Sequence, residues 1–237
     1  MKRFEEIVAR LKELKAQGYV KTHRSGPTGI GKTLEDLLGI QENNIPGPDI
    51  GEEIELKSAR KSVGSMVTLF TKSPLPKKVN SKLLEEFGYI TPESKGKKIL
   101  HTTVSSTSYN MLRGEIGFKI VLENQRLKLK SNAQTDIGAY WDESILQKCF
   151  EKKLPKLAYV KADAKGQKQE EEFWFNEAYL LSGFDYKNFV KLVKMGHILV
   201  DIRIGQYKDG RPHDHGTGFR VTPTKLDLCF SNRKSLI

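Results

Sequence analysis

Apolar residues recur early in the chain at spacings of three and four: Phe4, Ile7, Val8, Leu11 and Leu14. That period predicts an amphipathic helix over residues 4–17, stopped by Gly18. A shorter helix fits residues 31–38, with Leu34, Leu37 and Leu38 inward and Gly39 closing it. After a loop rich in Asn, Pro and Gly (ENNIPGPD, 42–49) the period drops to two. EEIELKSA (52–59) then alternates as a strand, and SMVTLFTKS (65–73) reads as another, ended by the turn-forming PLPKK. Residues 81–87 predict a helix, and ILHTTVSS, GFKIVLEN and QRLKLKS continue as strands, the last two joined tightly at Asn124. Beyond them the pattern predicts a helix over 143–152, strands at KLAYVKADA and EEFWFNEA, and a helix over 186–195. ILVDIRIGQY and TGFRVT close the chain on either side of the polar loop KDGRPHDHG. Hairpins inside an α/β alternation predict a mixed central sheet with helices on its faces. The expectation is one domain over residues 1–237, with two lobes dividing at about residue 150.

Composition narrows the class. Hydrophobic residues make up 38% and charged residues 29%, which is ordinary for a globular chain and excludes a disordered one. No apolar run approaches the ~20 residues that a membrane span needs. The N-terminal stretch has acidic residues inside its apolar pattern, so it is not read as a signal peptide. Cys149 and Cys229 are too few for a disulfide scaffold or a cysteine-rich zinc site, and the expected compartment is the cytoplasm. The net charge of +11 is the first functional clue, because a field of that sign concentrates and steers polyanions.

The chemistry gathers in PDIGEEIELK (48–57). On a strand, Glu55 and Lys57 project from one face while Leu56 turns to the core. Glu53 shares the face of Glu55, and Asp49 in the preceding loop can fold back beside them. Two carboxylates can hold Mg²⁺, which polarises a phosphoryl oxygen and lowers the pKa of a bound water. A lysine beside them can orient that water and offset developing negative charge. An E-x-K tripeptide alone is common on surface strands, so context has to distinguish this one.

GPTGIGKT (26–33) matches the P-loop expression letter for letter. A nucleotide-binding loop requires a buried apolar strand in front of it, and GYVKTHRS is polar and basic. The segment therefore reads as a helix N-terminus that brings Lys32 to a DNA phosphate, with Glu35 on the following turn. At the other end, DIRIGQYKDGRPHDHGTGFRV places Arg203, Tyr207, His213, Asp214, His215 and Arg220 around one loop. Arginine is the commonest reader of guanine edges. A zinc site from His213, Asp214 and His215 lacks further ligands at suitable spacing.

TGIGKTLEDLLG (28–39), PDIGEEIELK (48–57), TLFTKSP (68–74), VDIRIGQY (200–207) and HDHGTGFR (213–220) together resemble the MvaI/BcnI family of type II restriction endonucleases. That family is related to the mismatch-repair nicking enzyme MutH, and the strings look closer to the MvaI branch than to the BcnI branch. The resemblance implies an α/β PD-(D/E)xK nuclease core in a bilobed DNA clamp. Residues from about 1 to 150 would be mainly catalytic, and those from about 151 to 237 would mainly recognise DNA. It implies catalytic roles for Asp49, Glu55, Lys57 and Glu35, with one or two Mg²⁺ ions on Asp49 and Glu55. It places Lys72, Arg203, His213, Asp214, His215 and Arg220 in DNA-contacting segments. It further implies double-stranded DNA as partner, cleavage at CC^WGG by a monomer that nicks each strand in turn, and a cognate methyltransferase acting on the same site. Two other functions stay open: a MutH-like nicking or repair endonuclease that needs partner proteins, and a DNA-binding module with a vestigial site.

Overall fold

Every helix and strand expected from periodicity forms, with shifted ends and several short strands added. A computed structural model describes residues 2–40, 47–51, 53–62, 64–114, 116–154 and 156–237. Residues 42–46 of the expected loop, and Glu52 at the start of the expected strand, lie outside them. In chain order the first elements are α1 (Lys2–Gln17), β1 (Val20–Lys21), α2 (Gly29–Leu37), β2 (Ile54–Arg60), β3 (Val67–Thr71), α3 (Val79–Phe87), β4 (Leu100–Val104), β5 (Phe118–Glu123) and β6 (Arg126–Ser131). Then come β7 (Tyr140–Asp142), α4 (Glu143–Lys153), β8 (Lys156–Lys165), β9 (Glu172–Ser182), α5 (Tyr186–Lys194), β10 (Ile198–Gln206), β11 (Pro212–Asp214), β12 (Gly218–Val221) and β13 (Asn232–Ser235). Among the described residues no helix is long and apolar enough to cross a membrane.

The chain forms two compact units. The first comprises residues 1–67, 152–184 and 226–237; the second comprises residues 68–151 and 185–225. The chain thus passes between units four times.

The first unit is a mixed sheet in the order β1-β9-β8-β2, with β13 also paired to β9. β2 runs parallel to β8, and the other pairs are antiparallel. Alternation sorts its faces. Ile54, Leu56, Ala158, Val160, Ala162, Phe173 and Phe175 join Leu11 of α1 and Ile30 and Leu34 of α2 in one core. Glu55 and Lys57 stand on the opposite face, in register with Leu157 and Tyr159.

α2 begins at Gly29, two residues before the expected start, because glycine is a poor helix former and hides the first turn from a pattern reading. Glycine is needed there, since a Cβ would lie 2.1 Å from the Arg24 carbonyl oxygen. The structure also excludes the nucleotide-loop reading. The strand before the glycines is two residues long and pairs antiparallel with β9. The Thr33 hydroxyl is fully buried, donating to Gly29 O and accepting from His23 N.

Further along the polar face of this sheet, Lys61, Lys161 and the Tyr179 hydroxyl converge on Glu177 at 2.7, 3.2 and 3.1 Å. The hydrogen bond from Lys61, supported by those from Lys161 and Tyr179, pulls the Glu177 carboxyl down from 4.5 to about 2. A folded-state pKa below the unfolded one stabilises the fold above the unfolded value, and that stabilisation disappears as pH falls through the folded value. Glu177→Gln should therefore melt lower than the parent at neutral pH. The gap between their melting temperatures should close between pH 4.5 and 2. Parallel melting curves across that range would refute this role.

The second unit holds a sheet in the order β11-β10-β12-β3, in which β10 runs antiparallel to β11, β12 and β4, and a smaller sheet β5-β6-β7. Its core is aromatic: Phe70 stacks on Phe219 at 4.9 Å between centroids, and Phe189 packs on both at 5.5 Å. Trp141 adds an edge contact to Phe219 and donates Nε1–H to Lys72 O at 2.8 Å. β11 was not expected, because Pro-His-Asp carries no apolar alternation. It forms by pairing Pro212–Asp214 with Ile204–Gln206, so the polar loop begins as a short ribbon.

Candidate active site and recognition face

Glu55 is 3% exposed, and both of its oxygens meet ammonium groups. Oε1 is 2.5 Å from Lys57 Nζ, and Oε2 is 3.2 Å from Lys153 Nζ. Burial without a cation would be costly for a carboxylate, and the two lysines offset that cost. Asp49 does fold back as expected: its Oδ2 accepts the Leu56 backbone N–H at 2.9 Å, between Glu55 and Lys57. Glu53, the other acid of the segment, is exposed and pairs with Lys156 at 2.9 Å. Burial therefore singles out Glu55.

Glu35 shares a cleft with Lys57. The cavity, about 320 Å³, is lined also by Arg24, Lys32 and Ser58; Asp49 and Glu55 stand outside its lining. Lys32 Nζ is held 2.7 Å from Asp36 one turn on. Arg60 fixes the loop leading into α2: it donates to Glu171 at 2.6 and 2.7 Å and to the carbonyls of Gly26 and Pro27 at 3.1 and 3.2 Å.

The donor set suits a hard divalent cation. Carboxylate oxygens are the ligands Mg²⁺ prefers, and a buried carboxylate met by two ammonium groups already sits in a cation environment. Among the described residues no group of three or more His, Cys, Asp or Glu side chains could hold a metal. Asp49 and Glu55 alone would leave most positions of an octahedral ion to water and substrate oxygens, which is usual for Mg²⁺.

In the second unit, odd-numbered residues of β10 share one face while Val200, Ile202 and Ile204 face the core. On that face Asp201, 1% exposed, accepts from Thr103 Oγ1 at 2.9 Å and from Arg203 Nε at 2.7 Å. Arg220 Nε lies 3.0 Å from the same carboxylate, close enough for an ion pair although its N–H is not aimed as a hydrogen bond. One buried acid thus holds two guanidinium groups side by side. His215 lies over Gly205, where an added Cβ would come within 2.6 Å of its Nε2. His213 packs edge-on against His215 at 4.3 Å and beside Tyr207 at 4.4 Å. Desolvation by burial pushes the His215 pKa below its usual value, aided by nearby His213.

Asp214 is placed differently from its neighbours. Oδ1 accepts from the Gly216 and Thr217 amides at 2.9 and 2.6 Å, and Oδ2 from Ser73 Oγ and Asn80 Nδ2 at 2.5 and 3.1 Å. Its carboxylate shapes the loop. Lys72 neighbours this corner, its amide donating to Thr217 O at 2.9 Å.

Lys153 and Asp201 escaped the sequence reading. A lysine at a helix end carries no signal of its own. Asp201 did offer one: an acid two residues before an arginine inside an otherwise apolar strand, which puts both on one face.

An edge strand carrying a buried acid and a lysine, beside a second acid, on a mixed α/β sheet is an arrangement found in hydrolytic nucleases. Residues 8–230 match the MvaI/BcnI restriction endonuclease family, and the chain belongs to that family. Restriction endonuclease MvaI in complex with its cognate DNA is 33% identical over 97% of this chain and 96% of its own, with a TM-score of 0.88. MvaI in the absence of DNA is 32% identical over 100% and 98%, with a TM-score of 0.60. No curated protein sequence matches the chain.

Proposed function

We propose that this chain is a Mg²⁺-dependent, sequence-specific DNA endonuclease that cuts with a PD-(D/E)xK site built from Asp49, Glu55 and Lys57. The observation that carries this reading is the contact of buried Glu55 with Lys57 on the strand where Asp49 is hydrogen-bonded to the intervening amide. A divalent cation held by the two carboxylates would supply Lewis-acid polarisation of the scissile phosphoryl group and an acidified water. Lys57 offsets negative charge developing on the phosphate and orients the attacking water. Glu35 completes the acidic set from the cleft that it shares with Lys57, while Lys32 and Arg24 in that cleft suit backbone phosphates.

Base reading belongs to the polar face of the second unit. Arg203 and Arg220, oriented by Asp201, present guanidinium forks of the kind that pair with guanine, and His213 and His215 can donate or accept at base edges. Tyr207 flanks them, Lys72 contacts phosphate, and Asp214 acts by holding the loop. The nearness of its sequence strings to the MvaI branch supports CC^WGG as the target. Arg203 is the probe of the central pair, because in the minor groove A·T and T·A show the same acceptors while G·C adds a donor.

The chain carries one Asp-Glu-Lys cluster and no internal repeat, so a monomer cuts the two strands in separate events. Incubating the protein with supercoiled plasmid and Mg²⁺, and mapping the ends, tests all of this. Open circles should form before linear DNA, cuts should map to CCWGG, and the rate should be first order in enzyme. Second-order dependence on enzyme would exclude the monomer, and cuts at CCSGG would move the specificity to the other branch. Nicking that requires added partner proteins would favour a repair endonuclease, and binding without cleavage would favour a vestigial site.

A further inference from the structure

The two oxygens of Glu55 have unequal neighbours. Lys57, on the same strand, holds Oε1 at 2.5 Å. Lys153, on the last turn of α4, stands 3.2 Å from Oε2. Its shorter hydrogen bond, 2.6 Å, goes to the carbonyl of Gly47, two residues before Asp49. Lys153 is therefore anchored mainly on the loop that carries one acid and reaches loosely to the other.

We propose that Lys153 is an internal counter-cation that occupies Glu55 Oε2 in the metal-free protein and competes with a divalent cation for that oxygen. This rests on the reading of Asp49 and Glu55 as the metal-holding pair. A carboxylate as buried as Glu55 needs a cation before any metal arrives, and Lys153 with Lys57 meets that need. The same positive charge, a few ångströms from the incoming ion, opposes its binding in a poorly solvated site. Because its short hydrogen bond is to Gly47, Lys153 can withdraw from Oε2 without leaving the loop. Lys57 keeps Oε1. The arrangement holds the acids in place at low metal and lowers metal affinity in return.

Mn²⁺ binding to the full-length protein without DNA, followed by the electron paramagnetic resonance of free Mn²⁺, tests this. Lys153→Met removes charge and anchor, while Lys153→Gln keeps a donor for the Gly47 carbonyl. Removing one like charge at this range should tighten Mn²⁺ by about tenfold at low salt in both variants. Lys153→Arg should stay within about twofold of the parent, since the charge is kept. Asp49→Asn should lose the site. Neutral variants that unfold cooperatively yet bind Mn²⁺ no tighter than the parent would overturn the inference and leave the metal-pair reading intact. Retention of Mn²⁺ by Asp49→Asn would overturn both.

Discussion

Lys57→Ala and Asp49→Ala should each bind the cognate duplex and fail to cut it. Losing the acidified water or the charge beside the scissile phosphate should slow single-turnover cleavage by several orders of magnitude, each factor of ten being about 1.4 kcal/mol of barrier. Binding should survive because base reading is assigned to the other compact unit. Among the described residues Lys57→Ala leaves Lys153 as the one ammonium partner of buried Glu55, so its melting temperature has to be recorded beside its rate. Asp49→Ala removes a hydrogen bond to a half-buried backbone amide and should disturb the fold less. A near-parental single-turnover rate in a folded Lys57→Ala protein would end the active-site assignment.

The second large effect is on selectivity. Arg203 donates Nε–H to Asp201 and Arg220 Nε lies 3.0 Å from the same carboxylate, and the terminal nitrogens of both are the fork proposed for a guanine edge. A bidentate pair of this kind discriminates by roughly 1–3 kcal/mol, or about 5- to 150-fold. Arg220→Ala should weaken cognate binding by that factor and non-cognate binding far less. Asp201 keeps Arg203 and Thr103 as partners, so the buried carboxylate is not stranded. Lys72→Ala provides the contrast: both affinities should fall alike, and the slope of log K against log salt should flatten by about one phosphate contact. Equal losses for cognate and non-cognate DNA in Arg220→Ala would remove it from base reading.

What could be read in the sequence followed from period and position. Alternation put Glu55 and Lys57 on one face and Leu56 in the core, as the sheet has them. The tight hairpin at Asn124 is a two-residue turn with φ of 50° and 57° at Asn124 and Gln125, a conformation that asparagine tolerates. What escaped depends on partners remote in sequence. β13 consists of four exposed residues and exists because Asn232–Ser235 find an open edge of β9. β1 and β11 likewise pair without an apolar pattern of their own. Lys153 reaches Glu55 across 98 positions, and no local spacing announces such a pair. The resemblance puts Asp214 in a DNA-contacting segment, and the fold surrounds its carboxylate with four donors that no local spacing announces.

The interleaving of the two units constrains how such a protein can diversify. β2 carries the acid and lysine, but its parallel partner β8 arrives about a hundred residues later, after the chain has built most of the other unit. A single crossover near residue 150 would separate β2 from β8 and, at the same stroke, β3 and β4 from β10 and β12. Neither compact unit is a contiguous cassette. With base reading proposed for the face of β10 and β12, new target preferences would be reached more readily by substitutions there than by exchange of blocks between relatives.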